Sequence, residues 1–143
     1  MTTIVKHSST LPPSLSSFIK KVYELSDIES AHEEYCTLFT SPTHLQIGPM
    51  KPVTTHEEIL QIRKDSWEQF NKRRHVVEEV YVHPDAAPGS EQKIMLHGSV
   101  ELSFKDESKG STRASWAALM VLEGIDGGQE PKVKSYVAWL TMG

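Results

Sequence analysis

From Ser14 onward the apolar positions recur at helical spacing. Leu15, Phe18, Val22 and Leu25 share one stripe, flanked by Ile19 and Tyr23. Ser26 and Asp27 offer a fresh N-cap, with Glu29 placed for a capping box. They predict a second helix through Ala31, Tyr35, Leu38 and Phe39. Pro42 ends it, and THLQIGP reads as a short strand. TTHEEILQIRKDSWEQF predicts a third helix, capped by Thr55 and Glu58, with Ile59, Ile62, Trp67 and Phe70 as its apolar positions and Asn71 as its end.

The pattern then changes from helical period to alternation. HVVEEVYVHP reads as a strand ended by Pro84, with DAAPGSEQ as a turn-rich connection. KIMLHGSVELSFKD and TRASWAALMVLEG form a hairpin about the polar ESKGS. GIDGGQEP is a loop, and KVKSYVAWL is the last strand. Helices followed by a meander of strands indicate an α+β domain with the helices on one face of the sheet. Residues 1–13 are polar and end in Pro12-Pro13, which predicts a flexible N-terminal arm before a domain over 14–143.

One strand poses a question of direction. Ile94, Leu96, Val100, Leu102 and Phe104 fall on one side of it; Met95, His97, Ser99, Glu101 and Ser103 fall on the other. The ordinary arrangement turns the apolar side inward. A methionine, a histidine and a carboxylate in line would also suit the wall of a cavity.

Composition narrows the partners. The chain has 143 residues, a size that fits one domain with a real core. Its formal net charge of -4 argues against a nucleic-acid partner. The start of the chain has neither a signal-peptide pattern nor a membrane-length apolar run, so no membrane partner is expected. A lone cysteine, Cys36, fits a reducing compartment, and a cytoplasmic protein is expected. No phosphate-binding glycine loop, GxSxG or HExxH occurs in the sequence. HEEY at His32 has the wrong spacing for a helical zinc pair, so neither metal nor cofactor is expected.

Several words of the sequence resemble the nuclear transport factor 2-like superfamily, which includes SnoaL-like polyketide cyclases and scytalone dehydratase. LSDIESAHEEYCTLFT followed by LQIGP resembles the stretch where the family's first helices reach its first short strand. IRKDSWEQFNKRRHVV resembles a run found in many fungal SnoaL-like proteins, and IMLHGSVELSFKD, RASWAALMV and KVKSYVAWL resemble their last strands. The resemblance covers roughly residues 15 to 142. It implies a cone-shaped fold, three N-terminal helices packed on a curved, mostly antiparallel sheet around a pocket. It also implies that the polar side of the central strand, with His97 and Glu101, looks inward. The apolar side, with Leu96, Val100, Leu102, Trp116, Ala118 and Met120, would then be covered by a second copy, giving a homodimer through the sheet.

The same resemblance suggests site residues. RRHVV puts His75 at a pocket histidine, Glu101 falls where a second histidine is expected, and Arg113 where an asparagine is expected. Tyr23-Glu24 falls where the family has tyrosine then aspartate, although Glu24 lies on the far side of the helix from Phe18 and Val22. His75 and His97 are then the acid–base candidates, with Glu101 beside them. Arg113 would orient a substrate, and Tyr23, Trp67, Trp116 and Tyr136 would supply its walls. The expected function is a cofactor-independent isomerase, cyclase or dehydratase acting on a small hydrophobic or polyketide-like molecule. A ligand carrier and a protein-interaction module are the alternatives on the same fold.

Overall fold

The computed structural model describes residues 3–7, 11–83, 91–124 and 130–142. Pro84, the DAAPGS stretch and the IDGGQ loop lie outside the described residues. Helix α1 (Pro13–Ser26) begins with proline at its first turn, where the missing N–H costs nothing. Leu15, Phe18, Ile19, Val22 and Tyr23 all bury on one face. Helix α2 (His32–Cys36) is a short turn. Helix α3 (His56–Ser66) carries the expected capping box, Thr55 with Glu58. It stops at Ser66 rather than Asn71, because Phe70 and Asn71 already belong to a strand and the Phe70 and Phe104 rings meet at 4.8 Å.

Among the described residues six strands form one sheet: β1 (Thr3–His7), β2 (Phe39–Ile47), β3 (Phe70–Val82), β4 (Gln92–Phe104), β5 (Ser111–Glu123) and β6 (Lys132–Met142). Their order is β1-β3-β4-β5-β6-β2. The four long strands run as an antiparallel meander, and β1 and β2 add in parallel at the two edges. The layout is α+β, with a curved, mostly antiparallel sheet. No helix among the described residues is long and apolar enough to cross a membrane.

Three expectations about the ends of elements are corrected. Part of the N-terminal arm is not free: Thr3–His7 pairs with β3, satisfying an edge that would otherwise present bare N–H and C=O groups. The capping box at Ser26 does not form, and α2 starts six residues later without a side-chain cap. The Ser26 carbonyl and the Asp27 carboxylate take other partners, described below. Pro42 also falls inside β2 rather than before it, tolerable because β2 is an edge strand.

The question of direction has a clear answer, opposite to the one the resemblance implied. Ile94, Leu96 and Val100 are at most 2% exposed and pack beneath the helices, while Met95 is 42% exposed and Glu101 faces solvent. Trp116, Ala118 and Met120 on β5 are buried on the same inner face. The set predicted to meet a second copy is therefore the core itself. The helices bring their own apolar stripes, and each square ångström of apolar contact with the sheet contributes about 25 cal/mol. Turning His97 and Glu101 inward would forfeit that contact and strip two polar groups of water.

A bulge in β3 keeps this face continuous. Val77 pairs with Gly98 and Glu79 with His97, so Glu78 is the extra residue. Arg73, His75 and Val77 point inward before it, Val80 and Val82 after it. Gly98 lies opposite, and a Cβ there would sit 1.9 Å from the Val76 carbonyl oxygen and 3.0 Å from the Trp116 ring. Gly98→Ala should therefore lower stability by about 1–3 kcal/mol. A reduced urea midpoint with unchanged m-value is the expected result; an unchanged midpoint would show that the bulge relaxes freely.

Candidate active site

Between the helices and the concave face of the sheet lies a cavity of about 280 Å³. Leu45, Ile47, Ile59, Val100, Leu102 and Ala138 give it apolar walls. Its polar groups fall into three sets.

The first joins α1 to β3. Asp27 is the residue immediately after α1, one helical turn beyond Tyr23. One carboxylate oxygen accepts the His75 backbone N–H at 2.8 Å; the other lies 2.5 Å from His75 Nδ1. Both side chains are largely buried, at 14% and 15% exposure. A carboxylate only accepts, so the proton of this bond belongs on Nδ1, and in the neutral imidazole Nε2 then carries the lone pair. The imidazole packs on the Tyr23 ring at 5.1 Å and meets the Trp116 edge at 5.8 Å.

The second is a pair of phenols. Tyr23 Oη and Tyr136 Oη lie 3.0 Å apart, both buried. Burial is the main reason both stay protonated well above the usual tyrosine range. One hydroxyl donates to the other, which leaves one O–H for a guest. Trp116 lies against Tyr23 at 5.0 Å, and its indole Nε1 is buried with no hydrogen-bond partner among the described residues.

The third is a corner of two arginines. Arg63, 3% exposed, donates to His32 Nδ1 (3.2 Å), the Ser26 carbonyl (3.3 Å) and the Ile28 carbonyl (2.7 Å), with its face over the Tyr35 ring. Arg73 donates to the same Ser26 carbonyl (3.3 Å) and to Ser66 Oγ (3.0 Å), over the Trp67 ring. Burial and the neighbouring Arg63 push the His32 imidazole below its ordinary range, which suits it to accept.

Four of the residues singled out from sequence line this cavity: His75, Tyr23, Trp116 and Tyr136. The others do not. Trp67 is buried behind Arg73, serving as the platform for its guanidinium. His97 lies on the outer face, 3.8 Å from Glu78 and 3.4 Å from Glu79. Glu101 and Arg113 are exposed register partners on that face, where Arg113 donates to Ser99 Oγ at 3.2 Å. All three follow from the reversed strand direction.

Asp27, Arg63, Arg73 and Tyr35 were missed. Asp27 stands four residues after Tyr23, hence on the same side of the chain as α1 ends; Arg63 stands four after Ile59, a charge on an apolar stripe. Arg73 stands two before His75, on the same face of β3. Those spacings were the available signals.

This arrangement is an α+β layout in which a curved sheet and the helices enclose a mainly apolar pocket. The chain has the fold of the nuclear transport factor 2-like superfamily. It superposes on a candidate scytalone dehydratase of Novosphingobium aromaticivorans with a TM-score of 0.77 at 13% identity, covering 90% of this chain and 83% of that one. For the hexachlorocyclohexane dehydrochlorinase LinA-type3 of Novosphingobium barchaimii the TM-score is 0.70 at 11% identity, with 90% and 89% covered. For nuclear transport factor 2 of Cryptosporidium parvum it is 0.69 at 13%, with 94% and 100% covered. No protein-family model matches the sequence, and no curated protein matches it either.

The phenol pair sets an alkaline limit. The unfolded chain's tyrosines ionise near pH ~10, whereas Tyr23 and Tyr136 hold their protons higher in the fold. The stability they contribute is complete below that pH and is lost as pH rises above it. Tyrosinate absorbance from these two should appear only together with loss of near-ultraviolet circular dichroism. Reversible ionisation in the folded protein near pH ~10 would contradict the burial argument.

Proposed function

We propose that the protein is a cofactor-independent enzyme that takes a proton from a small hydrophobic substrate, in isomerase, cyclase or dehydratase chemistry. The observation that carries this is His75, which lines an apolar cavity and is held from behind by Asp27. His75 Nε2 removes a proton from carbon, and Asp27 stabilises the imidazolium that forms. The electron pair moves onto an oxygen of the substrate, held by the free hydroxyl of the Tyr23–Tyr136 pair. The imidazolium then returns its proton to another carbon, or to a departing hydroxyl, and the site is restored. The two enzymes of like fold carry names for the removal of water and of hydrogen chloride, which supports elimination as the kind of reaction.

A carrier would need only the apolar walls, and an interaction module would need no cavity. A buried carboxylate–imidazole pair is an expense for either, since polar groups taken out of water must be compensated. The volume lies at the small end of ligand sites, which are about 300–1,000 Å³, and suits one or two fused rings.

5-Nitrobenzisoxazole, a small neutral carbon acid, tests the base directly: loss of its C–H proton breaks the N–O bond and releases a phenolate. Saturable turnover above the buffer rate is expected. His75→Ala should lower kcat/KM by ~10² or more, and Asp27→Asn should lower kcat, with circular dichroism unchanged for both. Equal rates in wild type and His75→Ala would remove the proposal and leave the carrier reading ahead.

A homodimer is part of the proposal, through the face now seen to be outward. Met95, Leu119 and Val137 stand in register across β4, β5 and β6, with Trp139 beside Ala117. Trp139 is 53% exposed and Tyr81 51%, an apolar surface that a second copy would cover. Sedimentation at tens of micromolar should give a dimer, and Trp139→Asp a folded monomer; a wild-type monomer would refute it.

A further inference from the structure

Arg63 and Arg73 stand out as charges whose hydrogen-bond partners among the described residues are all neutral: two carbonyls, an imidazole and a hydroxyl. Among the described residues that line the cavity there are two guanidiniums and no carboxylate. Asp27, the acidic group that bears on both, is already bound to His75. Counting Asp27, this corner holds two guanidiniums against one carboxylate. Burial depresses both guanidiniums, and Arg63 adds to the depression of Arg73. Like charges brought together out of water cost free energy that a bound anion would recover.

The geometry suits a flat anion. The Tyr35 and Trp67 rings lie 4.6 and 4.5 Å from the guanidinium carbons of Arg63 and Arg73, and each guanidinium keeps N–H groups beyond those it already donates. Ser66, which also lines the cavity, donates its proton to the Arg63 carbonyl at 2.9 Å and accepts from Arg73, bracing the two arginines together. Arg73 and His75 alternate onto the same face of β3, which sets their backbones roughly 7 Å apart. An anion at Arg73 would leave the body of a one- or two-ring ligand beneath the imidazole.

We infer that the substrate of this site is a carboxylic acid, whose carboxylate docks on Arg63 and Arg73 while its ring system lies against His75 and Trp116. This rests on the reading of the cavity as a substrate site, but not on His75 acting as a base. The corner is the anchoring end and the Asp27–His75 pair the reacting end. A role limited to bracing the Ser26 carbonyl would account for the arginines' bonds but would give no preference for charge in the guest.

The test compares two probes of one shape, 2-naphthoate and 2-naphthamide, by calorimetry at neutral pH. The carboxylate is expected to bind at least about tenfold more tightly than the amide. Arg73→Gln should cut that preference to about threefold or less, with amide binding little changed and the fold intact by circular dichroism. Arg73→Lys, which keeps the charge and loses the fork, should fall between. His75→Ala should keep the preference, so that a failed base and a failed anion site are told apart. Equal affinity for the two probes, a preference unaltered in Arg73→Gln, or no saturable naphthoate binding up to about 1 mM would each overturn the inference.

Discussion

The Asp27 carboxylate ties the helical layer to the sheet at two points, taking both the backbone N–H and the ring nitrogen of His75. Much else follows from it. With Asp27 turned toward β3, the chain after α1 cannot use that carboxylate to cap a following helix, so α2 is delayed and short. The turns between the two helices present the Ser26 and Ile28 carbonyls inward, where Arg63 and Arg73 reach them. One side chain thereby fixes the imidazole's tautomer, the path of a loop and the seats of two guanidiniums. Removing it would leave several buried polar groups to find new partners, each at a cost of about 1–3 kcal/mol.

Such a set of polar groups survives inside an apolar shell because nearly every member is paired. The tyrosine hydroxyls bond each other, the imidazole bonds the carboxylate, and the arginines bond carbonyls and lie on rings. What is left over is one phenolic proton, one lone pair of the neutral imidazole, the indole N–H groups of Trp116 and Trp67, and an excess of positive charge. A core built for stability alone would leave none of these, since apolar packing of the same volume is at least as stable. The surplus marks where a guest completes the structure.

The helices, the meander and the domain's α+β class were legible because each rests on a local period: the stripe of α1, the capping box of α3, the alternation of β4 and β5. The ends of elements were not, where a distant partner overrode a local cue. Phe70 left the helix to pair with Phe104, and Asp27 left the N-cap to bind His75, 48 residues away. The site was legible on the strands and helix that carry His75, Tyr23, Trp116 and Tyr136. It failed on β4, where the resemblance displaced the plain reading of an amphipathic strand. Gly98, flanked by Val100 and Leu96 on the buried side, is the residue that tells the face apart: a glycine is needed where a bulge brings the next strand's carbonyl close.

His75 and His97 make the same point from the side of chemistry. They stand on neighbouring strands, both near carboxylates, and by residue type alone they are equivalent. His97 lies outside, 38% exposed between Glu78 and Glu79, where water screens each contact and such pairs contribute about 1 kcal/mol at most. His75 lies inside, with one carboxylate in hydrogen-bond contact and aromatic rings on its faces. There the dielectric is low, the tautomer is fixed and the lone pair is directed, so the same imidazole has the makings of a base. What separates the two histidines is which side of the pleat they occupy, set in turn by where the apolar residues of their strands had to go.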